Sequence, residues 1–410
     1  MLNLILVIGI MLSVGLLGGL ATQKVKFPRI TGYVLIGLLL SPSLFHLLER
    51  TSIDSLDIVT DVSLGIIAYL IGSSLRLDSI RKLGKSILWI TPLQSLVAGL
   101  LIFIAIIFLA PFIIDSPSAT FANTYLPMAL VLGAIAMTTA PAITMASIRE
   151  CKAKGPMTTT LHAVVALDDV IAVLGFSIAL GFAQPLVTGV SGVSWHETLA
   201  IPCINLGMSA SIGIGLGFCL VFLIRLVKTQ ALLLVAVLGI IVLGVGLANQ
   251  LGISLILLST MVGFVVTNRI RNLEPITVIE NIEDLIYNLY FVSSGMFFNA
   301  NVMGTAGILA LIYFGVRFAG KYLGTNLGAR VSGAPEAVRK YLGLALIPQA
   351  GVALGLALLA RRMFPVFGET IFNLVLASAI LNEIVSPPLA RYAISKAGES
   401  NMASAMPTSS

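Results

Sequence analysis

The sequence predicts an all-α polytopic membrane protein of about thirteen transmembrane helices in two inverted six-helix halves, and three observations lead there. Of its 410 residues, 58% are hydrophobic and 10% charged. A soluble domain carries about 25% charged residues, so lipid must solvate most of this surface. Apolar runs of at least 18 residues recur along the chain, each able to cross hydrocarbon about 30 Å thick. Strand-length segments of alternating polarity do not occur, so helices rather than a β-barrel satisfy the backbone in lipid.

In order, the spans cover residues 2–21, 28–48, 57–75, 85–113, 124–149, 156–182, 197–226, 229–248, 251–268, 276–298, 303–330, 336–361 and 366–396. The first lacks a basic leader and is too long for the apolar core of a signal peptide, so it is read as a retained helix. Lys24, Lys26 and Arg29 follow it, and Arg76, Arg81, Lys82 and Lys85 follow span three. Arg149, Lys152 and Lys154 follow span five, Arg225 and Lys228 span seven, and Arg269 and Arg271 span nine. Arg330, Arg339 and Lys340 follow span eleven, and Arg391 and Lys396 close span thirteen. These are 19 of the 24 Lys and Arg residues, all at the same end of odd-numbered spans. The positive-inside rule makes that end cytoplasmic, with the N-terminus outside and the C-terminus inside. Arg50, Arg361 and Arg362 are the exceptions at the outer side.

The net charge of +6 is thus a topology signal, not a nucleic-acid footprint, and no nucleic-acid partner is expected. Cys151, Cys203 and Cys219 fit no ligand spacing or disulfide framework and read as packing residues. Residues 1–397 form one transmembrane domain. Residues 398–410, ending Met406-Pro407-Thr408-Ser409-Ser410, read as a disordered polar tail.

Two spans carry a break near mid-depth. Span five reads Ala136-Met137-Thr138-Thr139-Ala140-Pro141-Ala142, and span twelve Leu344-Ala345-Leu346-Ile347-Pro348-Gln349-Ala350-Gly351. Proline cannot donate to the helix ladder. Paired interruptions at corresponding places in inverted halves point to a midplane binding site in a secondary transporter. A single kink would carry no such weight, because prolines commonly bend membrane helices.

Span six places Asp168 and Asp169 side by side in the sequence Val165-Ala166-Leu167-Asp168-Asp169-Val170-Ile171. Each acid costs about 2.5–3.5 kcal/mol at the centre of a membrane helix, and like charge with desolvation opposes ionising both. Carboxylates that alternate between proton and cation are what proton–cation exchange requires, and their oxygens suit hard monovalent cations. Asp169 is the primary candidate for the monovalent cation. Thr138 and Thr139 at the break offer hydroxyls beside freed carbonyls, although threonines also recap broken backbone. Arg317 and Lys321 in span eleven share a helix face at i, i+4, and one of them should neutralise an aspartate. The alternative for Lys321 is snorkelling to the inner interface. His162, seven residues before Asp169, is a candidate pH sensor. Glu383 lies in or near the membrane before Pro387-Pro388, and Glu280, Glu283 and Asp284 read as a solvated cytoplasmic entrance at the start of span ten.

Several stretches then resemble a known family. They are Phe27-Pro28-Arg29-Ile30-Thr31-Gly32-Tyr33, Ile71-Gly72 through Leu75-Arg76-Leu77, and Ile148-Arg149-Glu150 with Ala153-Lys154-Gly155-Pro156. The Asp-Asp pair, Tyr290-Phe291-Val292-Ser293-Ser294-Gly295-Met296 and Gly320-Lys321-Tyr322-Leu323-Gly324 complete the set. Together they resemble the monovalent cation:proton antiporter superfamily in its second, mainly bacterial branch. That resemblance implies the sodium/proton exchanger fold with crossed broken helices, meeting at Thr138 and Thr139. It implies that Asp169 binds cation and proton in turn, and that Asp168 marks the electrogenic type. It also implies that Lys321, or Arg317 after a small alignment shift, pairs with Asp168. Where the family usually has an acidic residue, this chain has Ser73-Ser74-Leu75.

The resemblance further implies a homodimer whose core domain moves as an elevator, in a plasma (inner) membrane. It implies no C-terminal nucleotide-binding domain, no cofactor and no enzymatic activity. The expected function is electrogenic exchange of sodium or lithium for protons. The rivals are potassium/proton exchange on the same fold and an uncoupled cation channel.

Overall fold

A computed structural model of the chain describes residues 4–24, 29–43, 56–73, 76–77, 84–114, 119–140, 143–144, 147–148, 151–188, 195–227, 229–270, 274–300, 303–349 and 351–400. Among the described residues the regular structure is helical. The helices are α1 (Leu4–Lys24), α2 (Arg29–Leu40), α3 (Asp57–Ser73), α4 (Lys85–Ile113), α5 (Leu126–Ala136), α6 (Pro156–Thr188), α7 (Trp195–Leu226) and α8 (Gln230–Leu251). They continue as α9 (Leu255–Arg269), α10 (Glu274–Glu280), α11 (Glu283–Met296), α12 (Met303–Val331), α13 (Glu336–Ala345), α14 (Gly351–Met363) and α15 (Gly368–Lys396). Seven of the described helices are long and apolar enough to cross a membrane by themselves. Large apolar side chains stand exposed along them, Phe108, Phe112, Leu226 and Phe222 among them, as lipid-facing residues must.

Span five becomes α5 followed by a non-helical stretch at 138–140, and span twelve becomes α13 and α14 with a break at 347–349. Pro141 and Ala350 lie outside the described residues, as do residues 401–410 of the tail. Span ten differs from expectation. It is two helices, α10 and α11, joined by a turn at Asn281–Ile282 in which Asn281 N–H donates to Thr277 O and Ile282 N–H to Ile279 O. Glu283 and Asp284 therefore open a new helix, where carboxylates complement the partial positive charge of an N-terminus. Cys151 is buried as expected, but Cys219 is exposed rather than packed.

The chain forms two compact units. The first comprises Met1–Arg81 and Phe176–Gly304. In it α3 and α9 meet backbone to backbone: a Cβ at Gly263 would lie 2.8 Å from Ser73 N, and one at Gly72 would lie 2.9 Å from Thr260 Cα. Arg29 pairs with Asp284 at 2.5 Å in this unit, both side chains well exposed, so the pair contributes little.

The second unit comprises Lys82–Gly175 and Thr305–Ser410. Its core joins Met157, Leu161, Val164 and Val165 of α6 to Val338 and Leu342 of α13 and to Ala393 and Ile394 of α15. The polar tail does not leave this unit at 398. Glu399 is 7% exposed, and its carboxylate accepts from Met157 N at 2.7 Å, Thr158 N at 2.8 Å and Thr158 Oγ1 at 2.7 Å. It thus caps the first turn of α6, whose N–H groups have no partner within the helix.

Candidate functional site

Asp168 and Asp169 lie twelve and thirteen residues into α6. At 1.5 Å per residue that is about 18–20 Å from its start, near the middle of a bilayer. Asp168 is 0% exposed and Asp169 3%, yet their surroundings differ. Asp168 Oδ1 accepts from the side chains of Gln94 (Nε2) and Ser95 (Oγ) on α4. Its Oδ2 accepts from Lys321 Nζ of α12 at 2.9 Å. Every one of these contacts is a donor contact, which suits an ionised carboxylate, an acceptor-only group. Asp169 Oδ1 is buried without a hydrogen-bond partner among the described residues. A buried polar atom left unpaired costs about 1–3 kcal/mol, so two neighbours of one residue type have opposite standing.

The two cations of α12 also separate. Lys321 Nζ donates to Met137 O at 2.5 Å and Thr139 Oγ1 at 2.9 Å as well as to Asp168, which uses all three donors of an ammonium. The Lys321–Asp168 ion pair is fully buried on both sides. Arg317, one turn earlier and 1% exposed, goes to the backbone instead. Its Nε donates to Ala136 O at 3.0 Å, one terminal nitrogen to Ile347 O at 2.6 Å and the other to Thr138 O. These carbonyls belong to the ends of α5 and α13, where the helix dipole is negative and no downstream N–H is in register. The planar fork of an arginine meets several such oxygens at once.

The two breaks are tied to each other. Ala140 N–H donates to Pro348 O at 2.8 Å, and Thr139 Oγ1 reaches Leu346 O at 3.3 Å. Gln349 Nε2 lies 3.1 Å from Ile135 O, 3.1 Å from Thr138 Oγ1 and 3.0 Å from Tyr313 OH. Thr138 Oγ1 in turn donates to Ile135 O at 2.9 Å. The carbonyls at 136–138 that the sequence offers as cation ligands are thus occupied by Arg317 and Lys321, and both threonine hydroxyls have protein partners.

Small residues bring the helices close enough for this. Gly320, Gly324 and Gly328 form a stripe on α12 at every fourth residue. A Cβ there would lie 2.6 Å from Ala98 Cα, 2.7 Å from Gln94 Cα and 2.7 Å from Ile90 Cα respectively. Such stripes let membrane helices pack backbone to backbone. Here the stripe sets Lys321 and the Gln94–Ser95 pair on either side of Asp168.

A family model described as the transmembrane region of sodium/hydrogen exchangers matches residues 8–396. The chain belongs to the sodium/hydrogen exchanger family. It is therefore a multi-pass membrane transporter of the cation/proton antiport class and not an enzyme. Its fold is similar to that of the sodium proton antiporter MjNhaP1 from Methanocaldococcus jannaschii. A structure of that protein at pH 8 superimposes with a TM-score of 0.76 at 18% identity, covering 96% of this chain and 98% of the other. A structure of the same antiporter from an electron-microscopy map gives 0.70 at 18% identity, covering 98% of each chain. No curated protein sequence matches the chain.

In this exchanger Asp168, Asp169, Thr138, Thr139, Arg317 and Lys321 all fall within the second unit, and hydrogen bonds link all of them but Asp169. His162 is exposed, two turns before Asp169 on α6. Glu383 is buried at 3% exposure on α15, whereas Glu280, Glu283 and Asp284 belong to the first unit. Sequence reasoning missed Gln94, Ser95, Gln349 and Tyr313. Gln94 carried a usable signal, as a long amide in the apolar 29-residue helix α4. Nothing in the sequence marks which side of α4 faces α6.

Proposed function

We propose that this chain exchanges sodium or lithium for protons, electrogenically, with Asp169 taking cation and proton in alternation. The observation that carries this reading is the contrast within the pair. Asp168 is fully engaged by three donors, while a buried oxygen of Asp169 has no partner. An incoming cation answers an unpaired acceptor oxygen as a proton does, and Thr138 and Thr139 at the break are the hydroxyls proposed to join it, once released from their protein partners. Asp169, and the Asp168–Lys321 pair, give up protons as sodium binds, so two protons leave per sodium and one net charge moves. The membrane potential then contributes about 2.3 kcal/mol per 100 mV to each cycle. The distribution of 19 of the 24 basic residues supports an N-terminus outside and a C-terminus in the cytoplasm of a plasma membrane. A homodimer is part of the same proposal, as is pH sensing by His162.

The test is exchange in proteoliposomes carrying a pH-sensitive dye. Sodium or lithium should collapse an imposed proton gradient, and Asp169→Asn should abolish the response. An unimpaired Asp169→Asn variant sinks the assignment. A response to potassium and not to sodium replaces the substrate, and cation current without proton movement replaces exchange by a channel.

A further inference from the structure

Asp168 keeps two of its three donors if Lys321 is taken away. Gln94 and Ser95 are consecutive residues of α4, both 0% exposed, and both side chains donate to the one oxygen, Oδ1, that Lys321 does not touch. Gln94 is itself braced, its Nε2 lying 3.1 Å from Thr91 O and 2.7 Å from Ser95 Oγ. Gly324 lets α12 lie backbone-close to α4 at this point, a Cβ there falling 2.7 Å from Gln94 Cα. The arrangement is a rigid two-donor clamp on a buried carboxylate, built on a different helix from the ammonium that pairs with it.

We propose that Gln94 and Ser95 are positioning residues that set how many protons leave per cation. The proposal rests on the exchange cycle proposed above. In that cycle Lys321–NH3+ becomes Lys321–NH2 and the released proton leaves with the outgoing pair, so Asp168 must remain a carboxylate without its cation. An unpaired buried carboxylate is among the costliest groups in a protein interior. Hydrogen bonds from Gln94 and Ser95 offset that cost, and do so more strongly than neutral ones because the acceptor is charged. The groups around Lys321 are Asp168, Met137 O and Thr139, with the Asp169 carboxyl and Arg317, one turn away on its own helix, also acting on its charge. Arg317 is bound to backbone carbonyls of the two breaks and does not take over the role. Without the clamp, Asp168 has only Lys321. The lysine then has to stay charged, and exchange falls toward one proton per sodium.

The experiment measures the voltage that stops exchange in proteoliposomes holding a tenfold sodium gradient and no pH gradient. One net charge per cycle balances at about 59 mV, and an electroneutral cycle is balanced by no voltage. The variants are Gln94→Leu, Ser95→Ala, Ser95→Thr as the conservative rescue, and Lys321→Gln alone and combined with Gln94→Leu. Wild type should balance near that voltage. Gln94→Leu and Ser95→Ala should lose the balance point while still exchanging sodium for protons, and Ser95→Thr should restore it. In the Lys321→Gln background, which has no ammonium left to give up a proton and so no balance point, adding Gln94→Leu should leave exchange without one. Wild-type balance points in both Gln94→Leu and Ser95→Ala, with only turnover reduced, overturn the proposal and leave the exchange reading standing. A balance point in the Lys321→Gln variant, or one regained in the double variant, also overturns it. A wild type with no balance point overturns both. Should Gln94→Leu fail to fold, Ser95→Ala, which removes one hydroxyl, decides alone.

Discussion

Replacing Arg317 by alanine removes one side chain and strands three backbone carbonyls: Ala136 O, Thr138 O and Ile347 O. They lie at two different helix breaks, so a single guanidinium holds both. A hydrogen bond from a charged donor contributes about 1.5–3 kcal/mol, and three give roughly 4.5–9 kcal/mol before any relaxation. That is of the order of the whole stability of a folded domain, about 5–15 kcal/mol. The arginine is 1% exposed, so its removal also opens a gap in a packed region. The assay is thermal unfolding of purified protein in detergent, read from size-exclusion chromatography after heating. Arg317→Ala should unfold at a far lower temperature than wild type or fail to accumulate. Arg317→Lys, which keeps the charge but loses the fork, should fall between. Lys321→Gln, which leaves the buried Asp168 carboxylate without its cation, should also unfold below wild type, while its exchange loses its voltage dependence. If Arg317→Ala unfolds at the wild-type temperature, the bracketing role is wrong and the two breaks are held by their mutual bonds alone.

The remaining predictions are shorter. Asp169→Asn should abolish cation-driven proton movement without lowering the unfolding temperature, since no hydrogen bond to its Oδ1 is lost; a stability loss matching Arg317→Ala would contradict that. Gly324→Leu should force α12 from α4 at Gln94 and cut exchange at least about tenfold, the equivalent of 1.4 kcal/mol. Gly239→Leu on α8, where a Cβ meets nothing within 4 Å, should leave exchange unchanged, and equal effects at both sites would refute the packing argument. Glu399→Ala should cost about 1–3 kcal/mol by uncapping α6, seen as a lower unfolding temperature with the balance voltage kept. An unchanged unfolding temperature would mean the tail contact is incidental.

Much of this was legible before any coordinates. Helix positions follow from apolar run length, because a bilayer demands a minimum span and leaves the backbone no alternative partner. The breaks follow from Pro141 and Pro348. The turn that splits span ten was not legible in the same way. The run through Asn281 looked continuous, and the turn there depends on backbone bonds that hydropathy does not record.

The charges divide along the same line. The sequence by itself determined that two aspartates, an arginine and a lysine lie inside the membrane and must find partners, because isolated charges there are too costly. It could not choose between Arg317 and Lys321, since residues at i and i+4 present the same face. Tertiary structure decided that, by setting the carbonyls of both breaks beside Arg317 and Asp168 beside Lys321. It also separated Asp168 from Asp169, through an amide and a hydroxyl from a helix more than 70 residues away in sequence. Hydrogen-bond satisfaction is a property of three-dimensional neighbours, and adjacent identical residues differ only there.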